Sequence, residues 1–293
     1  MAQQKIVLRK LRDFGENYND TFGFIRQNFA PLLKSFFAVT GVFMIIHAIA
    51  LAFYSSGQSS VINDIFKDVI AERNVTGIFG WGYFLNIGSY FVLYAAMHTA
   101  ITAYFMAYDN NMGEPPAMAD VWQYFSRYFL KVFFFSIPAF IVVLVGMLFC
   151  ILPGIYFAIV LTPFSTVIMV EDLSFSDAFN RCFKIIKENF WISFGIYVVS
   201  YIIFSTMSGL ITLIVGAIVG VSAYFTTKEM GSAYVLIVSL ASVFEFIFYI
   251  VFYVSVVLHY YNLAERTDGT GLLQRIDEIG NKPQELFDNS GDF

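Results

Sequence analysis

Residues 151–191 read ILPGIYFAIVLTPFSTVIMV, then EDL, then SFSDAFNRCFKIIKENFW. The Leu152-Pro153-Gly154 sequence predicts a tight turn, after which an apolar segment long enough to cross most of a bilayer ends at two carboxylates, Glu171 and Asp172. Ser174 with Asp177 three residues later fits a capping box that opens the next helix. Phe175, Phe179 and Phe183 share one stripe of that helix, with Ala178, Cys182 and Ile186 beside it. The stretch therefore predicts a membrane helix, a polar corner, an amphipathic helix and the start of another membrane helix.

The whole chain has this character. Of its 293 residues 58% are hydrophobic and 13% charged, far too apolar for a soluble domain of this size. Bulk packing accounts for most of the 35 Phe and 18 Tyr, and the load also suits lipid-facing and interfacial surfaces. A net charge of -5 argues against nucleic acid as a partner, because counterion release needs clustered Lys and Arg. Cys150 and Cys182 fall at opposite membrane faces in the expected topology and present no metal-ligand spacing, so neither a disulfide nor a bound metal or cofactor is expected. The first residues lack an apolar core followed by a small-residue cleavage site, so the first span is expected to direct insertion.

Outward from residues 151–191, the expected fold is all-α, with six transmembrane helices in three hairpins, each preceded by an amphipathic surface helix. Residues 1–31 hold the first surface helix, where Phe14, Tyr18, Phe22, Ile25 and Phe29 recur at steps of three and four between charged residues. Pro31 allows a change of direction before span one at 32–54. A mixed polar segment with a short helix over 61–73 leads to span two at 81–107. The breaker-rich DNNMGEPP follows, and then a helical face marked by Met118, Val121, Trp122, Phe125 and Phe129. Span three is 132–151, kinked at Pro138. The near absence of a loop at Leu152-Pro153-Gly154 makes it the antiparallel neighbour of span four, 155–170, which Pro163 interrupts. Span five, 191–221, exceeds the ~20 residues a bilayer needs and must tilt, break or protrude. The loop TTKEMG precedes span six, 233–261, and 262–293 form a polar tail with one weak helical pattern at Leu272, Leu273, Ile276 and Ile279.

Six spans put both termini on one side. All of the 17 basic residues except Lys67, Arg73 and Lys228 fall on that side, so the positive-inside rule makes it cytoplasmic. Three junctions, Arg26 to Phe29, Ser126 to Phe129 and Lys187 to Phe190, each place a basic residue just before an aromatic and open a hairpin. They suggest a threefold repeat with its axis along the membrane normal, although any span starting at a cytoplasmic face tends to show the same pair. The LPGIY segment and the following EDLSFSDAFNRCFKIIKENFWISFG resemble a loose group of uncharacterised bacterial integral membrane proteins. That group looks like the membrane domain preceding the catalytic domain in some glycerophosphodiester phosphodiesterases. The resemblance covers roughly residues 120–220 and implies a membrane module. With only some thirty residues after the sixth span, it implies no phosphodiesterase activity.

Ionisable residues within spans are the candidates for function. Glu245 lies within SVFEFIFY, with no basic residue within a helical turn, and must be protonated, water-exposed or partnered by another span. At ~1.5 Å per residue, His47 lies roughly 20 Å and Glu245 roughly 25 Å from the cytoplasmic helix ends, so the two could share a layer as a relay or a polar-group site. His98 would lie nearer the inner half and His259 near the cytoplasmic surface. A single histidine bonded to a neighbouring helix is the commoner arrangement, and their unequal depths argue against a three-histidine metal site. Glu171 and Asp172, unfavourable at a helix C-terminus, are expected to pair with Arg181 or Lys184 rather than to catalyse. Gly216 with Gly220, and Ser205 with Gly209, are candidate helix-packing pairs. No phosphate loop, Ser-His-Asp order or zinc helix is present.

Two function classes follow. The first is a non-enzymatic inner-membrane scaffold or assembly module in contact with the lipid bilayer and with other membrane proteins or copies of itself. The second is a carrier or lipid-handling protein using a polar site around Glu245. An intramembrane enzyme has no supporting constellation.

Overall fold

The first helix begins where Asp13 can cap it. In the computed structural model, which describes residues 5–67, 80–226 and 244–269, the Asp13 carboxylate accepts from the Glu16 backbone N–H, and the Glu16 carboxylate accepts from the Asp13 N–H. This reciprocal box satisfies two orphan donors and opens α1 (Phe14–Gln27). Asn28 alone separates α1 from α2 (Phe29–Lys67), whose first turn tolerates Pro31 because that N–H has no intrahelical acceptor. There follow α3 (Trp81–Asn110), α4 (Met118–Phe149), α5 (Ile151–Leu161), α6 (Phe164–Val170), α7 (Phe175–Ile186) and α8 (Phe190–Thr226). After a short 3-10 turn, Phe246–Phe248, comes α9 (Tyr249–Asp268). Among the described residues there is no strand.

Six helical stretches are long and apolar enough to cross a membrane: Phe29–Ser55, Trp81–Asn110, Met118–Phe149, Ile151–Val170, Phe175–Val219 and Phe246–Asp268. Their boundaries differ from the expected ones for local reasons. Residues 118–129 are not a separate helix, since nothing between Phe129 and Val132 breaks the backbone and α4 runs through them and past Pro138. The corner between spans three and four is Cys150, with extended φ -165° and ψ 138°, while Leu152, Pro153 and Gly154 lie in the first turn of α5. Proline is tolerated there and so does not mark the turn itself. The break at Thr162 and Pro163 separates α5 from α6 as the proline predicts. The helix α2 reaches Lys67, beyond the expected 54, and α8 reaches Thr226, beyond the expected 221. The remainder of the short helix over 61–73, the loop at 227–231, the first part of span six and the helical pattern from Leu272 lie outside the described residues.

α9 sits at the centre. It packs against α1, α3, α6, α7 and α8, while α3 packs against α2, α4, α6 and α9. The lower half of α3 can enter this crowd because Ala95, Ala96, Ala100, Ala103 and Ala107 let neighbouring backbones approach. Between α4 and α5 the approach is closer still. A Cβ on Gly154 would lie 2.6 Å from the Met147 backbone N and 2.7 Å from its Cα, so only glycine fits.

The aromatic stripe of α1 faces the opposite way from a soluble amphipathic helix. Phe14, Phe22 and Phe29 are 40%, 48% and 59% exposed, whereas Asn17, Thr21, Phe24 and Asn28 are buried against the bundle. Phe24 stacks on Phe105 with centroids 4.3 Å apart, and Tyr104 donates to Asn28 Oδ1 at 3.2 Å. The N-terminal segment is fastened by Arg12, whose buried guanidinium donates to the Leu8 and Lys10 carbonyls, the Val7 carbonyl and Asp20. Its backbone pairs with Asn262, and its carbonyl also accepts from Arg266. Burial lowers the pKa of this guanidinium, and Asp20 opposes that shift.

Candidate functional site

Helical spacing puts Ser193, Tyr197, Ser200, Phe204, Ser208 and Thr212 on one face of α8. From Ser193 to Thr212 that face is about 28 Å long at ~1.5 Å per residue, close to the ~30 Å hydrocarbon thickness of a bilayer. α9 and the turn before it bring polar groups to the same face in reverse order. Ser193 Oγ lies 2.8 Å from His259 Nε2. One layer further on, Ser200 Oγ donates to Ser255 Oγ at 2.9 Å and Asn17 Nδ2 donates to the same atom at 3.0 Å. In that layer Tyr18 donates its hydroxyl to the Ile196 carbonyl at 2.6 Å and lies 3.1 Å from Ser200 Oγ. The Phe204 and Tyr249 rings then close the seam, with centroids 3.7 Å apart, and the Tyr249 hydroxyl lies 2.5 Å from that of Tyr90. At the far end Thr212 Oγ1 donates to Glu245 Oε1.

Glu245 thus has a partner on another helix, one of the three conditions its position allows. His47 is in the same layer, because its ring lies 5.6 Å from that of Phe246, the residue after Glu245. The two do not form a pair: His47 Nδ1 is 3.0 Å from Ser89 Oγ, while Glu245 turns to Thr212. His98 is buried elsewhere, with Nε2 3.1 Å from Thr166 Oγ1 and its ring stacked on Tyr253 at 4.9 Å. Each histidine therefore meets a hydroxyl, in every case on a neighbouring helix. Among the described residues no group of three His, Cys, Asp or Glu side chains could hold a metal ion.

Gly209 and Gly216 have no atom within 4 Å of where a Cβ would stand, so neither marks a close crossing within the described chain. Gly220 belongs to the part of α8 whose surroundings lie outside the description, and Ser205 Oγ donates to its own helix at Ile202. The carboxylates at the α6–α7 corner divide their partners. Glu171 accepts two 2.9 Å bonds from Arg181 Nε and one of 2.8 Å from the Tyr260 hydroxyl, and Arg181 also pairs with Asp268. Asp172, in the left-handed region at φ 48°, pairs with Lys131 at 2.7 Å and Arg127 at 3.2 Å instead of Lys184. The hydrogen bond and charge of Lys131, together with Arg127, hold its carboxyl below the usual range.

Sequence reasoning missed Thr212, Tyr249, Tyr90, Ser200, Ser255 and Asn17. The recurrence of Ser193, Ser200, Ser208 and Thr212 on one face of α8 was the available signal. Six apolar spans, with a seam of hydroxyls that is buried from Ser193 to Ser208 and exposed at Thr212, define the class: a multi-pass helical membrane protein. No protein-family model matches the chain, and neither does any curated protein or solved structure.

Proposed function

We propose that the chain is a non-enzymatic module of a bacterial inner membrane, with both termini cytoplasmic, that assembles with other membrane proteins or with copies of itself. The observation that carries this reading is how the buried histidines are used. Each is engaged with a hydroxyl on another helix, the bonding that holds membrane helices together, rather than presented to a substrate. The charge distribution supports the topology, since nearly all basic residues fall on the side of the termini. In this arrangement the exposed Phe14 and Phe22 of α1 rest in the headgroup region, and the three hairpins keep their basic-aromatic junctions at the cytoplasmic face. The resemblance of residues 120–220 to a membrane domain that accompanies other domains fits an assembly role.

The test is affinity purification from native membranes in mild detergent, with mass spectrometry of the co-purifying material. A stoichiometric membrane protein or a defined homo-oligomer is expected. Recovery of a monomer with lipid alone would overturn assembly and leave the carrier built around Glu245.

A further inference from the structure

The α8–α9 seam holds more polar groups than helix bonding uses. Among the described residues, the buried side-chain atoms without a hydrogen-bond partner are Asn86 Oδ1 and four atoms of this seam: Asn17 Oδ1, Tyr197 Oη, Ser208 Oγ and His259 Nδ1. Buried polar atoms are rarely left unbonded, and water is the usual partner when protein offers none. The four are distributed along the seam on both sides of the Phe204–Tyr249 contact. Tyr197 and His259 are in ring contact at 5.5 Å, one helical turn from the Ser200–Ser255 layer. Ser208 lies one turn from Thr212, whose hydroxyl donates to Glu245 and also contacts the Ser208 carbonyl at 3.1 Å.

We propose that the seam between α8 and α9 is a proton path of side-chain hydroxyls and bound water, loaded at Glu245 and interrupted by the Phe204–Tyr249 stack. The layers lie along a length that matches the bilayer core, and each contains a group that can both donate and accept. A proton from water on the Glu245 side converts its carboxylate to the acid. The acid passes a proton through Thr212 and the Ser208 region, and the far side of the stack continues through Ser200, Ser255, Tyr197 and His259. Each transfer breaks one O–H or N–H bond as the next forms. One proton leaves one aqueous phase and one enters the other, with no redox change. Arg12 and Arg266 stand at the cytoplasmic mouth beside Asn262, with Asp20 against Arg12. The proposal takes the carrier reading of Glu245 and names its permeant, and it is independent of whether the protein assembles with a partner.

The experiment uses the purified full chain in liposomes containing a pH-sensitive dye. A potassium gradient with valinomycin supplies the driving force and the compensating charge. Phe204→Ala is expected to raise proton flux several-fold over the wild type, and adding Glu245→Gln is expected to lower it to that of protein-free vesicles. Flux in Phe204→Ala equal to that of protein-free vesicles, or unchanged by Glu245→Gln, overturns the path. Transport of a lipid or solute without protons also overturns it while leaving a carrier. Should Phe204→Ala fail to fold, X-ray hydroxyl-radical footprinting of the unaltered protein decides the matter. Bound water predicts faster labelling of Tyr197 and His259 than of the similarly buried Tyr104 and His98, respectively; equal labelling refutes it.

Discussion

Replacing Gly154 with alanine tests the closest approach that a glycine permits among the described residues. The added Cβ would stand 2.2 Å from Met147 Cγ, 2.6 Å from Met147 N and 2.7 Å from Met147 Cα, whereas ordinary contact begins at 3.4 Å. The Met147 side chain can swing aside, but its backbone cannot, so α4 and α5 must separate by about 0.8 Å, the difference between 3.4 and 2.6 Å. Only Cys150 joins the two helices, and Gly146 meets Phe157 and Gly154 at 3.0 and 3.1 Å in the same crossing, so little of that movement can be absorbed locally. Overpacking of this kind costs ~1–3 kcal/mol. On the scale of ~2–4 °C per kcal/mol for large domains, that is a fall of several degrees. The control is Gly216→Ala, where nothing lies within 4 Å and the substitution gains helix propensity of up to ~1 kcal/mol. Both variants are measured by thermal unfolding of detergent-purified protein. A Gly154→Ala variant that melts at or above the wild-type temperature would refute the close crossing.

Two further outcomes are expected. Cys150 is exposed at the α4–α5 corner and Cys182 is buried, so a membrane-impermeant maleimide added to intact spheroplasts labels Cys150 alone; labelling only after the membrane is opened would invert the proposed topology. Asp172 has a folded pKa below its ordinary value of 3.8, so its stabilisation is present above about pH 4 and is lost as pH falls through the lower folded value. Because Asp172 is half exposed, the effect is at most ~1 kcal/mol. Asp172→Asn should flatten the decline in melting temperature between pH 5 and pH 3, about the carboxylate range, and an unchanged decline would assign it to other carboxylates.

How much of this was legible in the sequence depended on whether the signal was local. Span existence was, because an apolar run of bilayer length has few other homes. The Thr162-Pro163 break was, since proline removes a helix bond wherever it stands beyond the first turn. Leu152-Pro153-Gly154 misled because the same residue types suit a turn and a helix start, and the chain uses them as the start. The period of α1 was legible, and the structure adds which of its two faces is buried. Periodicity identifies two faces, but the solvent decides which one turns inward, and with lipid outside the Asn17, Thr21 and Asn28 face is the buried one. Glu245 stood out as a lone carboxylate in an apolar run. Its partner Thr212, like the Asn17–Ser255 bond, lies far away in sequence, where spacing along one helix carries no information.

The same logic explains why the centre is α9 rather than the stretch at 151–191 that announces the fold. Over an 18-residue stretch of the span that ends with α9, mean hydropathy is 1.6 and 78% of the residues are buried, whereas the corresponding stretch of Met118–Phe149, the most apolar at 2.7, is only 17% buried. Ile151–Val170 falls between them, at 1.9 and 56%, while Trp81–Asn110, the least apolar at 1.2, is 44% buried. In a soluble protein the order would be reversed, because burial there selects the most apolar helix. In lipid no apolar driving force separates interior from exterior, and the helices that can bond one another through Ser, Thr, Asn, His and Tyr gain by meeting, while the helices with only apolar side chains lose nothing by facing the acyl chains. Tyr249, Tyr253, Ser255, His259, Tyr260 and Asn262 are therefore not exceptions tolerated within α9. They are the reason that helix lies inside.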